Sequence, residues 1–253
     1  MKILFLLLFL LVTSVVTSHS EYNDEYDSLI IAFDEKNYPF MFASNGKASG
    51  IYPEIVREVF RRMGYDPMLD VLPWSRAISG VDAGKWGIGG LYMNLDRIYR
   101  YDYSDYIYEE TLYIWVIPGK EFTFQTIYDL KGKTIGVIRG WSYGDTFDSG
   151  VESRLFKVEA VEDDYRNINK LLYGRIDAIV MAQETLESYS SQINDIRKLI
   201  KLSTPVATNK TFIAFNKLSN MGELLKKFNY ELDAMRKDGS YDTIIKQNYN
   251  LTK

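Results

Sequence analysis

The chain has no cysteine among its 253 residues and a single histidine, His19. The first absence excludes a disulfide-stapled scaffold, a cysteine nucleophile, thiolate metal sites and lipid attachment through an N-terminal cysteine. Long apolar runs are also scarce. The longest, Ile3 to Val12, follows Lys2 and gives way to small and β-branched residues through Ser20. About 20 apolar residues are needed to cross a bilayer, so residues 1–20 read as a cleavable secretory leader and not as an anchor. His19 leaves with that leader. Neither a Ser-His-Asp triad, a Cys-His pair nor the usual zinc ligand sets can then be assembled, and no metal or cofactor is expected. Basic charge is short as well, with 30 Lys and Arg against 34 Asp and Glu, a net charge of −4. Nothing in that balance attracts nucleic acid or an anionic membrane.

What is present is an alternation of strand and helix patterns in an otherwise ordinary globular composition. Ser28 to Asp34 is a short apolar run that reads as a strand. Beyond Gly50, Ile51, Ile55 and Val59, with Tyr52, Val56, Phe60 and Met63 beside them, recur at helical spacing. They predict an amphipathic helix with Arg57, Arg61 and Arg62 outside and Gly64 at its end. Met68 to Leu72 reads as a strand, Ser75 to Lys85 as a helix and Ile88 to Met93 as a strand. A second unit begins after Pro118. Lys133 to Ile138 reads as a strand running into Gly140-Trp141-Ser142 and a helix, and Leu155 to Val161 as the next strand. Asp163 or Asp164 caps a helix closed by Gly174, and Ile176 to Met181 has the composition of a buried strand. After Pro205 the chain returns through Thr211 to Phe215 to a long helix with Met221, Leu224, Leu225, Phe228, Leu232 and Met235 on one face, stopped by Gly239.

Two α/β units with the last helix remote from the second imply that the chain crosses between lobes twice, near residues 109–118 and 205–212. Residues 28–110 and 209–253 would form one lobe and 111–208 the other, with the ligand site in the cleft between them.

Several short segments occur in a telling order: Tyr38-Pro39-Phe40 before Gly50-Ile51-Tyr52-Pro53-Glu54-Ile55; Pro73-Trp74-Ser75-Arg76-Ala77; Asn94-Leu95-Asp96-Arg97 before Tyr101-Asp102-Tyr103-Ser104-Asp105-Tyr106; Asp129-Leu130-Lys131-Gly132-Lys133; Gly174-Arg175-Ile176-Asp177-Ala178; and Met235-Arg236-Lys237-Asp238-Gly239-Ser240-Tyr241. In these the chain resembles the family 3 bacterial extracellular solute-binding proteins, the polar amino-acid-type type II periplasmic binding proteins, over residues 28–250. The resemblance implies an α/β, two-lobed fold in which each lobe is a mixed sheet flanked by helices, joined by two hinge crossings. It further implies a monomer in the periplasm of a Gram-negative bacterium that closes on a small solute and delivers it to an ABC transporter permease.

The resemblance places Arg97 where the family grips its ligand's carboxylate. The chemistry is sound, since a guanidinium fork offers a carboxylate two parallel charge-assisted hydrogen bonds. The alternative is a surface Arg97 paired with Asp96 or Asp102, and neighbouring Arg100 reads as solvated or structural. Tyr92, after Gly89-Gly90, falls where similar proteins offer carbonyls and hydroxyls, the glycines permitting close approach of ligand to backbone; a packed tyrosine in a twisted strand is the other reading. Trp141 and Ser142 stand at a helix N-terminus whose N–H groups would receive the carboxylate's other side, unless Ser142 only caps the helix. Tyr38, Trp74, Tyr92 and Trp141 all fall near the expected lobe edges, where aromatic faces sandwich planar or cationic groups.

Two departures widen the ligand class. Where the family holds an α-ammonium with an acidic residue, this chain has Ala182, followed by Gln183 and Glu184, and Asp177 reads as a structural residue of its strand. Gly84-Lys85-Trp86-Gly87-Ile88 is also short and lacks the common Asp. An α-amino acid is therefore one candidate among small carboxylates and polar solutes. Two other functions stay open: a sensor that presents its ligand to a signalling receptor, and an enzyme with a cleft carboxylate as general acid. Glu54, Glu109, Glu110 and Glu184 are the acids such an enzyme would use, and each reads as a solvated or hinge residue.

Overall fold

The computed structural model describes residues 29–251; the leader segment and Ser28 lie outside them. The first lobe opens with β1 (Ile30–Asp34), β2 (Lys36–Asn37), β3 (Met41–Ser44) and β4 (Lys47–Ser49). It continues through α1 (Ile51–Met63), β5 (Met68–Leu72), α2 (Trp74–Asp82), β6 (Gly87–Tyr92) and β7 (Tyr101–Tyr103). After β8 (Tyr108–Val116) come β9 (Thr134–Ile138), α3 (Asp145–Glu152), β10 (Lys157–Val161), α4 (Asp164–Leu172), β11 (Ala178–Ala182) and α5 (Gln183–Ser188). The chain returns along β12 (Ile200–Asn216) to α6 (Gly222–Asp238) and α7 (Ser240–Leu251).

The expected periodicities produce the expected elements. Helix α1 buries Ile51, Tyr52, Ile55, Val56, Val59 and Phe60, turns Arg57 and Arg61 outward, and ends at Gly64, whose φ of +78° is the left-handed conformation that glycine adopts freely. Helix α4 is capped by Asp163, whose carboxylate accepts from the Arg166 amide at 2.9 Å. Asp177 is structural: it accepts from the Thr134 amide at 2.7 Å and holds the starts of β9 and β11 together.

One sheet runs through the molecule in the order β10-β9-β11-β8-β12-β6-β1-β5, with β7 also on β12; β2, β3 and β4 form a separate small sheet. Strands β1, β5 and β6 pair in parallel in one lobe, and β9, β10 and β11 pair in parallel in the other. The two lobes meet where β8 and β12 run antiparallel to each other, from Ile200 opposite Val116 to Thr211 opposite Tyr108. The two crossings are thus one strand pair.

The return segment Thr211 to Phe215 is the end of a longer strand, β12, which begins at Ile200. Ile200, Leu202 and Val206 alternate on its inner face and pack on the core, but register shifts on either side of Pro205 interrupt the period, and pairing with β8 carries the strand through. Helix α6 ends at Gly239 as expected, with φ +80°, and the chain resumes as α7, where the Tyr241 hydroxyl donates to the Ile107 carbonyl at 2.8 Å.

The return helix α6 locks onto α1 through Phe228 and Phe60, both fully buried, with ring centroids 5.6 Å apart. Phe228→Ala is expected to lower unfolding free energy by about 3–5 kcal/mol, read as a drop in the urea midpoint; a midpoint unchanged from the parent chain would show that the contact does not hold the lobe.

Candidate ligand-binding cleft

Where the lobes face each other, Asn37, Met41, Trp74, Gly90, Tyr92, Arg97, Glu110, Trp141 and Ser142 line a cavity of about 20 Å³. That is room for about one water molecule, so the lobes stand closed upon each other here. Six of the seven residues singled out from sequence meet there. The exception is Tyr38, which stacks on Phe42 at 4.3 Å between ring centroids and meets Tyr189 edge-on at 6.1 Å, while its neighbour Asn37 takes the place on the wall.

Arg97 is held by the turn that follows β6. Its amide donates to the Asn94 side-chain oxygen at 2.9 Å, and its guanidinium Nη1 donates to the Tyr92 carbonyl at 3.1 Å. The residue is only 8% exposed, and burial pulls its pKa down from the ordinary arginine value. The expected surface alternative does not occur. Asp96 pairs with Arg100, which also binds Asp82, and Arg97 makes no ion pair among the described residues. A buried guanidinium with one backbone acceptor has donors to spare, and the negative charge of Asp148 acts on it only from beyond ion-pair distance.

The glycines before it serve packing as much as access. Gly90 has φ +79°, and a Cβ there would lie 2.7 Å from Met41 Sδ and 2.9 Å from Tyr52 Cδ2, so protein side chains fill the space that the sequence reading offered to a ligand. Ser142 also differs from its expected role. Helix α3 starts at Asp145 with Gly144 as its N-cap. The Ser142 hydroxyl donates to Asp148, and the Tyr143 amide donates to the same carboxylate at 3.0 Å. Asp148 has therefore taken the anion position that the loop would otherwise offer.

The lobes are in contact across the cleft. Trp74 Nε1 donates to the Gly140 carbonyl and Trp141 Nε1 to Asp34 Oδ2, both at 3.1 Å, so each lobe sends an indole to the other. The Leu95 amide donates to Asp145 at 3.2 Å, and Lys36 lies 3.8 Å from Asp163.

Glu110, one of the four acids considered from sequence and expected to be solvated or at a hinge, is on the hinge strand β8 but only 3% exposed. Among the others, Glu54 pairs with Arg57, Glu109 is exposed and Glu184 is half-buried. The Tyr52 hydroxyl donates to Glu110, and the Tyr92 hydroxyl is hydrogen-bonded to it as well. The signal for this was strand alternation: Glu110, Leu112 and Ile114 share the buried phase of β8.

Burial pushes the Glu110 carboxyl up to about 7, and that of Asp34 to about 6. Asp164, at the start of α4, rises to about 8 through burial and then through the nearby charges of Asp34, Asp163 and Glu110. Such groups titrate near pH 4 in the unfolded chain. Between about pH 4 and 8 the folded state therefore binds more protons, and stability falls as pH rises through that window. The carboxyls of Glu58 and Asp238, held down to about 2 by Arg61 and Arg62 respectively, act below it. The unliganded chain is expected to have a higher urea midpoint at pH 5 than at pH 8, with a smaller difference in Glu110→Gln. Equal pH dependence in the two proteins would remove Glu110 as a source of it.

Comparison with known proteins agrees with this geometry. The "Probable amino-acid-binding protein YxeM" of Bacillus subtilis (strain 168) is 24% identical, over 92% of this chain and 88% of its own length. The L-cystine-binding protein TcyJ of Escherichia coli (strain K12) is 25% identical, over 87% of this chain and 82% of its own. An ancestral arginine-binding protein, solved with arginine bound, superposes with a TM-score of 0.73 at 25% identity, covering 87% of this chain and 97% of that one. The sequence model of the bacterial extracellular solute-binding proteins, family 3, matches residues 29–250. With a two-lobed sheet, a closed cleft and a match across almost its whole length, the chain belongs to that family.

Proposed function

We propose that the chain captures a small carboxylate-bearing solute of the amino-acid class between its lobes and delivers it to an ABC transporter permease. The observation that carries this reading is Arg97: a guanidinium buried in the cavity wall, donating to one backbone carbonyl and lacking an ion-pair partner among the described residues. Keeping a charge in such a place is costly unless an anion compensates it, and a ligand carboxylate does so with two parallel hydrogen bonds. The names of relatives that bind cystine and arginine support the same solute class. In this reading residues 28–110 and 209–253 move as one lobe against 111–208, and the cross-lobe bonds of Trp74 and Trp141 belong to the closed state, whose population the ligand raises.

Residues 1–20 direct the chain to the periplasm, where it works as a monomer with no catalytic step. No helix among the described residues is long and apolar enough to cross a membrane.

The test is a thermal-shift screen of the chain from residue 21 onward against amino acids, small carboxylates, polyamines and sugars. A ligand bound only by the native state adds about 2.7 kcal/mol of apparent stability at one hundred times its Kd. An amino-acid hit is expected, and Arg97→Ala should weaken it by about 2–5 kcal/mol, roughly 30-fold to several thousand-fold. Full affinity in Arg97→Ala would sink the anchor, and a response confined to sugars would sink the solute class.

A further inference from the structure

We infer that Glu110 receives the ammonium group of the ligand, so that the cleft recognises a zwitterion through Arg97 at one end and Glu110 at the other. This rests on the reading of the cavity as the ligand site and names the chemistry of its second charged wall.

Placement is the first argument. Arg97 and Glu110 line the same cavity, and they are the two residues of its lining with charged side-chain chemistry. A carboxylate solute without a cation would satisfy the first and leave the second facing its own negative charge. A solute bearing both groups answers each with an opposite charge.

The second argument is what surrounds Glu110. In the β8–β12 ladder Glu110 lies opposite Asn209 and Tyr108 opposite Thr211, while Thr211 also lies opposite Tyr92 of β6. Residues opposite one another share a face, and so do residues two apart along a strand. Tyr92, Asn209, Tyr108 and Glu110 therefore project from one face of the sheet, toward which α1 contributes Tyr52. The groups bonded to Glu110 are the hydroxyls of Tyr52 and Tyr92. Both are neutral, and no lysine or arginine pairs with Glu110 among the described residues. Two hydroxyl donors leave a carboxylate with acceptor capacity, since its oxygens together offer about four lone-pair directions. They also fix its orientation, as a recognition group requires.

Phe40, Tyr52 and Tyr108, none of which lines the cavity, cluster with ring centroids 5.4 to 5.7 Å apart and seat the Tyr52 hydroxyl that donates to Glu110. Asn209, opposite Glu110, is hydrogen-bonded to the Tyr92 hydroxyl and so joins the same network.

The proposal is tested by calorimetric titration with matched pairs of probes: the L-amino acids found in the thermal screen, and the L-2-hydroxy acids of identical side chain, which exchange the ammonium for a hydroxyl. The parent chain should prefer the amino acid by about 30-fold or more. In Glu110→Gln, which keeps the shape and an acceptor for both tyrosines, amino-acid affinity should fall by a similar factor while hydroxy-acid affinity stays within about threefold. The preference should collapse. Arg97→Ala should weaken both probes alike. Glu110→Asp keeps the charge but withdraws it by one methylene; it covers the case in which the glutamine variant does not fold. It should lose amino-acid affinity and retain a preference over the hydroxy acid.

Equal affinity of the parent chain for both members of a pair overturns the inference. So does a Glu110→Gln protein that keeps the full preference while Arg97→Ala loses binding, which leaves the cleft reading standing without its second anchor. If Arg97→Ala binds both probes as the parent does, the cleft reading falls and takes this one with it.

Discussion

The antiparallel ladder between β8 and β12 is the constraint from which the rest of the architecture follows. Without it the sheet divides into β10-β9-β11-β8 on one side and β12-β6-β1-β5 on the other, each with its own helices. Backbone pairing along this ladder fixes the distance between the lobes but leaves their relative tilt to the twist of two strands. Register shifts on either side of Pro205 interrupt the ladder on the second lobe's side, and such irregularities concentrate twist locally. The pair is at once a fastening and a place where bending is easy.

The same ladder decides which side chains reach the cavity. Glu110 comes from β8, Tyr92 from β6 and Arg97 from the turn just beyond it, all on or near strands that flank β12. Trp141 and Ser142 arrive from the opposite lobe, on the loop between β9 and α3. Arg97 thus sits beside the crossing on one lobe and Glu110 on the crossing strand itself, while the far lobe brings an indole and a hydroxyl.

How much of this was legible depended on whether a residue's role was local. The periods of α1 and the cap of α4 lie within a few residues of each other in sequence, so spacing was enough. Arg97 was legible because the motif Asn94-Leu95-Asp96-Arg97 includes the turn that holds it, down to the Asn94 oxygen on the Arg97 amide. Glu110 was not. Beside Glu109 it resembles part of a solvated acidic pair, and its neighbours Tyr52 and Tyr92 lie far upstream in sequence; only the alternation through Leu112 and Ile114 hints that it points inward. Tyr38 failed for the opposite reason: an aromatic next to Pro39 fits a cleft rim, yet stacking on Phe42 satisfies it more fully, and the smaller Asn37 reaches the wall. The first half of β12 was missed because the irregularities around Pro205 break the alternation of Ile200, Leu202 and Val206.

The two reciprocal indoles have a further consequence, an optical one. The chain has four tryptophans. Trp86 donates its N–H to Ala77 and Trp115 to Met181, each within its own lobe, whereas Trp74 and Trp141 donate across the cleft. Any separation of the lobes exchanges hydrogen-bond partners at the last two alone, and leaves the first two as they were. The molecule thus carries a matched pair of fluorophores that report its aperture and a second pair that serve as an internal reference, without a label being added.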